Sequence, residues 1–219
     1  MGVTTSKGDP PKPVIVEPVQ GMAGARACSP AFLAAARALT QARGASLIFD
    51  EVQCGVGRCG HFTAAEGYGV TPDFLTLAKG LASGLPIGAM ITTAAVAQTV
   101  HQGDLGSTFG GGPVPCAAAR ATLSVIDREG LLDNVRAVST QLREGALALG
   151  PSRVTAVQGR GLLLGLRTVR PAIDVQRALF ARRILTGTAS DPHVVRLIPP
   201  LTFSAAQADQ VLAALSDVL

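Results

Sequence analysis

The chain has 219 residues, 47% hydrophobic and 16% charged, so it carries enough apolar surface to build a core and is not a disordered chain. Net charge is +4, yet the arginines are scattered and the aromatic fraction is 4%, with one Tyr and no Trp; without stacking platforms a nucleic-acid partner is not expected. The longest uncharged stretches, such as Gly80 to His101, are interrupted by Gly, Pro, Ser and Thr and do not read as membrane spans. No secretory signal precedes the core, and the four cysteines, Cys28, Cys54, Cys59 and Cys116, read as reduced thiols of a cytoplasmic protein.

Residues 1–13 are polar and proline-rich and read as an extended lead-in. A strand is predicted from Val14 to Val19. A helix follows, with Ser29 as N-cap, Pro30 at its first position, Phe32, Leu33, Ala36 and Leu39 on one side, and Gly44 as its stop. Ala45 to Phe49 is a short apolar strand ending in Asp50 and Glu51, so strand, helix and strand form the crossover unit of a parallel sheet. Further strands are predicted at Phe74 to Ala78 and Ile87 to Thr92, then a long helical region from Pro115 to Leu149 that breaks near Gly130. From Val154 the pattern changes. Short strands at Val154 to Val157, Leu162 to Leu166 and Val194 to Ile198 alternate with helices at Ala172 to Ile184 and Ser204 to Leu219. The expected organisation is an α/β large-domain part with a mostly parallel sheet over residues 14–135 and a small α+β domain over 136–219, the boundary falling within the long helix.

Lysine usage is the sharpest compositional clue. The chain holds three lysines against sixteen arginines, and Lys7 and Lys12 lie in the lead-in, which leaves Lys79 as the one lysine of the folded body. It follows an apolar strand and precedes a Gly-rich turn, a setting in which a desolvated amine could condense with a carbonyl. The plainer reading is a lysine reaching solvent from a strand end. Asp50 ends a buried strand at the carboxyl edge of a parallel sheet, where such folds place ligands; its plainer reading is a turn-starting aspartate. Together the two supply what pyridoxal phosphate demands, an amine for the aldehyde and an acid facing the pyridine nitrogen. Cys54, Cys59 and His61 lack the second ligand pair of a structural zinc site, so no metal is expected. Gly55-Val-Gly-Arg-Cys-Gly60 matches G-x-G-x-x-G, but no amphipathic helix follows it and Asp73 precedes a strand where a ribose-binding acid should end one.

Four segments, Val16-Glu-Pro-Val-Gln-Gly21, Ile48-Phe-Asp-Glu-Val-Gln53, Leu77-Ala-Lys-Gly80 and Gly106-Ser-Thr-Phe-Gly-Gly111, resemble class III aminotransferases, in order and from Val14 to the C-terminus. The resemblance implies a fold-type-I, pyridoxal-phosphate-dependent enzyme, working as a homodimer, that moves an ω-amino group to 2-oxoglutarate. It makes Lys79 the catalytic lysine that holds the cofactor aldehyde and then shuttles a proton, and Asp50 the partner of the pyridinium nitrogen. Glu51, Val52 and Gln53 fall in the same cofactor-binding segment, Val52 against the ring face and Gln53 near its phenolic oxygen. Thr108 matches the threonine that reaches the cofactor phosphate of the neighbouring subunit, and Ser107 lies beside the substrate. Arg196 aligns with the arginine that clamps a substrate carboxylate, and Glu17 with the glutamate that can pair with it.

The family chain is about twice this length, and its front half, which carries the phosphate loop and a ring-stacking aromatic, has no counterpart here; the expectation is an incomplete enzyme, or a half-protein that associates with a complementary N-terminal chain. Gly112 stands where the family usually has Asn, Leu105 where His is common, Met22 in place of an acidic or small residue, and Cys54 and Cys59 where Thr is usual.

Overall fold

A computed structural model describes residues 12–108 and 110–219; most of the lead-in, Lys7 included, lies outside the described residues. In chain order the elements are β1 (Val14–Val16), β2 (Val19–Gln20), β3 (Arg26–Ala27), α1 (Pro30–Arg43), β4 (Leu47–Asp50), α2 (Ala64–Tyr68), β5 (Phe74–Leu77), a 3-10 turn at Lys79–Ala82, β6 (Ala89–Thr92) and α3 (Ala94–Ala97). They continue with α4 (Pro113–Arg128), α5 (Leu131–Ala148), β7 (Val154–Arg160), β8 (Leu163–Thr168), α6 (Ala172–Ala181), β9 (Gly187–Thr188), β10 (Val194–Leu197) and α7 (Ala205–Val218). Among them no helix is long and apolar enough to cross a membrane.

The first sheet has the order β1-β4-β5-β6. β1 and β5 flank β4 in parallel, Val16 opposite Phe49 and Asp50 opposite Thr76, and β6 closes the edge antiparallel to β5. Leu33, Leu47, Phe49, Leu75 and Leu77 form its core with residues of α4. The second sheet, β7-β8-β10-β9, is antiparallel throughout and is covered by α5, α6 and α7. Its core joins Val135, Leu142, Leu164, Leu166, Val175, Val195 and Leu215. The long helical region breaks at Gly130, whose φ of +60° a glycine adopts without steric cost. Leu131 packs in the first core and Val135 in the second.

Three local expectations need correction. The strand over Val14 to Val19 is two pieces, because Pro18 offers no N–H to a ladder; β2 leaves the sheet and pairs with β3 instead. In α1 the Ser29 hydroxyl accepts from Phe32 N–H and Gly44 ends the helix in the left-handed region, as the sequence indicates. Its buried face, however, is Leu33 and Thr40, whereas Phe32 and Leu39 are more than half exposed. Thr40 tolerates burial because its hydroxyl donates to the carbonyls of α1 itself, Ala36 and Arg37. Helix α6 stops at Ala181 rather than Ile184, with Arg183 at φ +61° turning the chain toward β9.

Candidate active site

β4 and β5 leave the sheet side by side, so Asp50 at the end of one and Lys79 just beyond the end of the other come from adjacent carboxyl ends. That edge is where parallel sheets expose groups to a ligand. Asp50 Oδ1 accepts from Val52 N–H at 3.1 Å and from the Thr76 hydroxyl at 3.4 Å. These bonds orient the carboxylate, and Oδ2 has no protein partner among the described residues. Lys79 adopts φ +44°, a left-handed conformation that costs a non-glycine residue about 1–2 kcal/mol. The 3-10 turn it opens packs against α4, where Ser83 and Thr122 hydroxyls lie 2.9 Å apart.

Lys79 shares a cavity of about 780 Å³ with Val52, Gln53, Arg58, Ile198 and Thr202. The amine is not desolvated as the sequence suggests: Lys79, just beyond the end of β5, is exposed. Gln53 Oε1, by contrast, is buried without a partner. It lies against Gly21, where a Cβ would sit 1.1 Å from that oxygen, so the close approach demands glycine. Arg196, on β10, donates from Nη1 to the Gly21 carbonyl at 3.2 Å and from Nε to Thr188 O at 2.6 Å. Gly21 thus meets Gln53 on one side and Arg196 on the other.

Asp50 and Arg196 are not among the lining residues of the Lys79 cavity, and the remaining residues that the resemblance assigns also fall outside it. Glu51 is fully buried, and its two oxygens accept from Ala64 N–H at 2.5 Å and Ala65 N–H at 2.7 Å, so it caps α2 and does not line the Lys79 cavity. Burial holds its carboxyl above the usual carboxylate range; the two amide bonds oppose that and Glu66 adds to it. Glu17 is half-buried just beyond β1 and makes no ion pair with Arg196. Ser107 and Thr108 are exposed in the loop between α3 and α4 and are not among the cavity's lining residues. Gly55 to Gly60 coils through successive turns and opens no helix, unlike a dinucleotide motif. Cys54 is fully buried there, while Cys59 is only partly so.

Two contributors were not anticipated from sequence. Thr76, which steadies Asp50, is the polar interruption in an otherwise apolar strand. Arg58 sits inside the glycine-rich segment that reads as a nucleotide decoy.

Residues present fit a pyridoxal group on the strength of the open Asp50 oxygen and the Lys79 amine that shares a cavity with Val52 and Gln53. The fold and this set of side chains define part of a fold-type-I, pyridoxal-phosphate-dependent α/β enzyme. The chain belongs to the class III aminotransferases, whose family model, described as aminotransferase class-III, matches residues 5–219. It is 48% identical over 208 residues to an acetylornithine aminotransferase of Streptomyces coelicolor, covering 94% of this chain and 52% of that protein. To an acetylornithine aminotransferase of Mycobacterium tuberculosis it is 44% identical over 207 residues, 94% of this chain and 52% of that one. Among solved structures, ornithine aminotransferase from Toxoplasma gondii superposes with a TM-score of 0.87 at 32% identity, over 93% of this chain and 50% of that one. Acetylornithine aminotransferase from Elizabethkingia anophelis gives 0.86 at 30%, over 93% and 55%. The chain therefore spans about half the length of the relatives it matches, and pyridoxal phosphate is the cofactor of its family.

Proposed function

We propose that this chain carries the lysine-bearing part of an acetylornithine- or ornithine-type aminotransferase site and serves the transfer of an ω-amino group to 2-oxoglutarate. The observation that carries this reading is the emergence of Asp50 and Lys79 from adjacent parallel strands, with Gln53 in the cavity that Lys79 lines. When bound, pyridoxal phosphate supplies the electron sink that lets an amino group leave its carbon. Asp50, held by Val52 and Thr76, would keep the ring nitrogen protonated through its open oxygen. Gln53 would donate its amide to the ring's phenolic oxygen, and Val52 would pack on the ring face. Lys79 Nζ would hold the aldehyde carbon and, once released, move a proton at the substrate carbon, the backbone strain at its Cα fixing the departure angle of the side chain. Arg196 keeps Nη2 without a protein partner among the described residues, a donor available to a substrate carboxylate, and Glu17 would compete for it. Ser107 and Thr108, exposed on their loop, would act across a homodimer, Thr108 toward the phosphate of the neighbouring subunit. Residues 14–135 would form the cofactor side of the site and 136–219 the carboxylate side.

The second reading is a half-protein without activity of its own that works only with a complementary N-terminal chain. It is favoured by the exposure of Lys79 and of Ile15, Met90 and Ile91 on the edge strands of the first sheet. Both are tested by supplying pyridoxal phosphate, 2-oxoglutarate and, in separate reactions, N-acetylornithine and ornithine, and measuring glutamate. Lys79-dependent glutamate from the chain alone supports the first reading, glutamate only with an N-terminal half added supports the second, and none in either arm refutes both.

A further inference from the structure

Arg58 is the one guanidinium that lines the Lys79 cavity, and no carboxylate pairs with it among the described residues. Its Nη1 donates to two carbonyls that are distant in sequence, Leu162 O at 3.3 Å and Pro199 O. Its own carbonyl accepts from Leu162 N–H at 2.9 Å, so side chain and backbone grip the same loop. The approach is tight enough to dictate residue type. At Gly161, with φ +51°, a Cβ would lie 2.4 Å from Arg58 O and 2.6 Å from Cys59 Cα. Burial pulls the half-buried guanidinium below its ordinary pKa, an effect that Cys59 opposes.

What the clamp joins is specific. Arg58 lies on the turn that runs on from Asp50, Val52 and Gln53, and Pro199 is the third residue after Arg196. The strand end from Ile198 to Thr202 is also gripped from the other side, where Asn134 Nδ2 donates to Leu201 O at 2.7 Å and Phe203 O at 3.1 Å. Between them these two side chains fix the cavity wall that follows the carboxylate-side arginine.

We infer that Arg58 is a positioning residue, setting the distance between the cofactor-side turn Asp50–Gln53 and the carboxylate-side strand that carries Arg196. The inference rests on the proposed transaminase reading for its functional consequence but not for its structural one. Both carbonyls accept from the single nitrogen Nη1, so the clamp depends on the reach of the long side chain and on that one donor group, which Arg58→Lys shortens and Arg58→Gln removes.

The test compares the wild type with Arg58→Lys, Arg58→Gln and Arg136→Lys. Arg136 is the control, because it grips the same turn through Gly60 O without touching Pro199. Hydrogen exchange of the peptide spanning residues 194–203 is expected to speed about tenfold in both Arg58 variants and to stay at the wild-type rate in Arg136→Lys. In the chain supplied with an N-terminal half, the KM for 2-oxoglutarate is expected to rise about tenfold in the Arg58 variants, with kcat changed less and borohydride labelling of Lys79 retained. Unchanged exchange over 194–203, or faster exchange with KM unmoved, overturns the inference. If the wild type itself shows no Lys79 labelling, the transaminase reading fails while the exchange comparison still decides the clamp.

Discussion

Replacing Glu51 tests whether the acidic residue beside Asp50 serves the fold or the cofactor. The carboxylate is fully buried and satisfies two amides at the start of α2, of which Ala64 is 1% and Ala65 8% exposed. Glu51→Ala strands both N–H groups. Each hydrogen bond to a charged acceptor contributes about 1.5–3 kcal/mol, and releasing a buried carboxylate from its desolvation offsets part of that, so a net loss of about 2–4 kcal/mol is expected. Glu51→Gln keeps one acceptor but turns an NH₂ toward the other amide, for about 1–3 kcal/mol. Because the folded-state pKa is raised, the folded chain holds this proton more tightly than the unfolded chain does. The proton-linked part of Glu51's contribution is therefore present below the ordinary carboxylate pKa and is lost as pH rises through the folded value, while the two amide bonds remain. The penalty of Glu51→Gln, which cannot titrate, should accordingly be smaller at pH 7 than at pH 4. Urea unfolding followed by circular dichroism at both pH values measures this. Stability within 0.5 kcal/mol of wild type for Glu51→Ala, combined with loss of cofactor labelling at Lys79, would refute the capping role and return Glu51 to the cofactor.

Four further outcomes follow from particular contacts. Gly161→Ala forces a Cβ into Arg58 O and the Cys59 backbone at a positive φ, and should cost at least about 3 kcal/mol in urea unfolding; a loss under 1 kcal/mol contradicts the close approach. Tyr68, the sole tyrosine, lies under the Arg160 guanidinium with its hydroxyl near Cys28 O and Pro18 O, and burial pushes its phenol up to about 12. Its ultraviolet titration should therefore show a midpoint about two units above an exposed phenol, and a midpoint near 10 would count against that environment. Asp73 Oδ2 accepts from Leu47 N–H at 2.7 Å and Arg37 at 2.9 Å, so Asp73→Ala should lower stability by about 2–3 kcal/mol, more than Arg37→Ala, which removes the ion pair and a 3.3 Å bond to Thr71 O but leaves the Leu47 amide bonded; equal losses would show the amide bond to be idle. Lys79→Gly relieves a left-handed φ that Lys79→Ala retains, so the glycine variant should be the more stable by about 1 kcal/mol in thermal unfolding, and the reverse order would deny the strain.

Where local chemistry decides, the sequence was a good guide. Ser29 with Pro30 and Gly44 set both ends of α1, and Gly130 set the helix break, because caps and positive φ values depend on a few neighbouring atoms. The exits of β4 and β5 were legible for the same reason, as apolar runs ending in charged residues. Long-range partners were not. Nothing local to Glu51 says that α2 will start over its carboxylate, and nothing local to Arg58 says that Leu162 and Pro199 will arrive beside it. Lys79 was expected in a dry setting because its strand is apolar, yet a strand's burial does not extend past its last residue, and the amine lies exposed beyond it. The faces of α1 were misjudged on Phe32 and Leu39, since hydrophobic spacing gives a stripe but not what covers it.

The central claim is that one side chain of this molecule takes up the aldehyde of pyridoxal phosphate. Incubating the chain, alone and with an N-terminal half supplied, with the cofactor, reducing with borohydride and mapping peptides by mass spectrometry tests it directly. The account requires the reduced pyridoxyl adduct on the peptide containing Lys79, absent from Lys79→Ala. An adduct confined to other amines, or equal labelling in the variant, would contradict it.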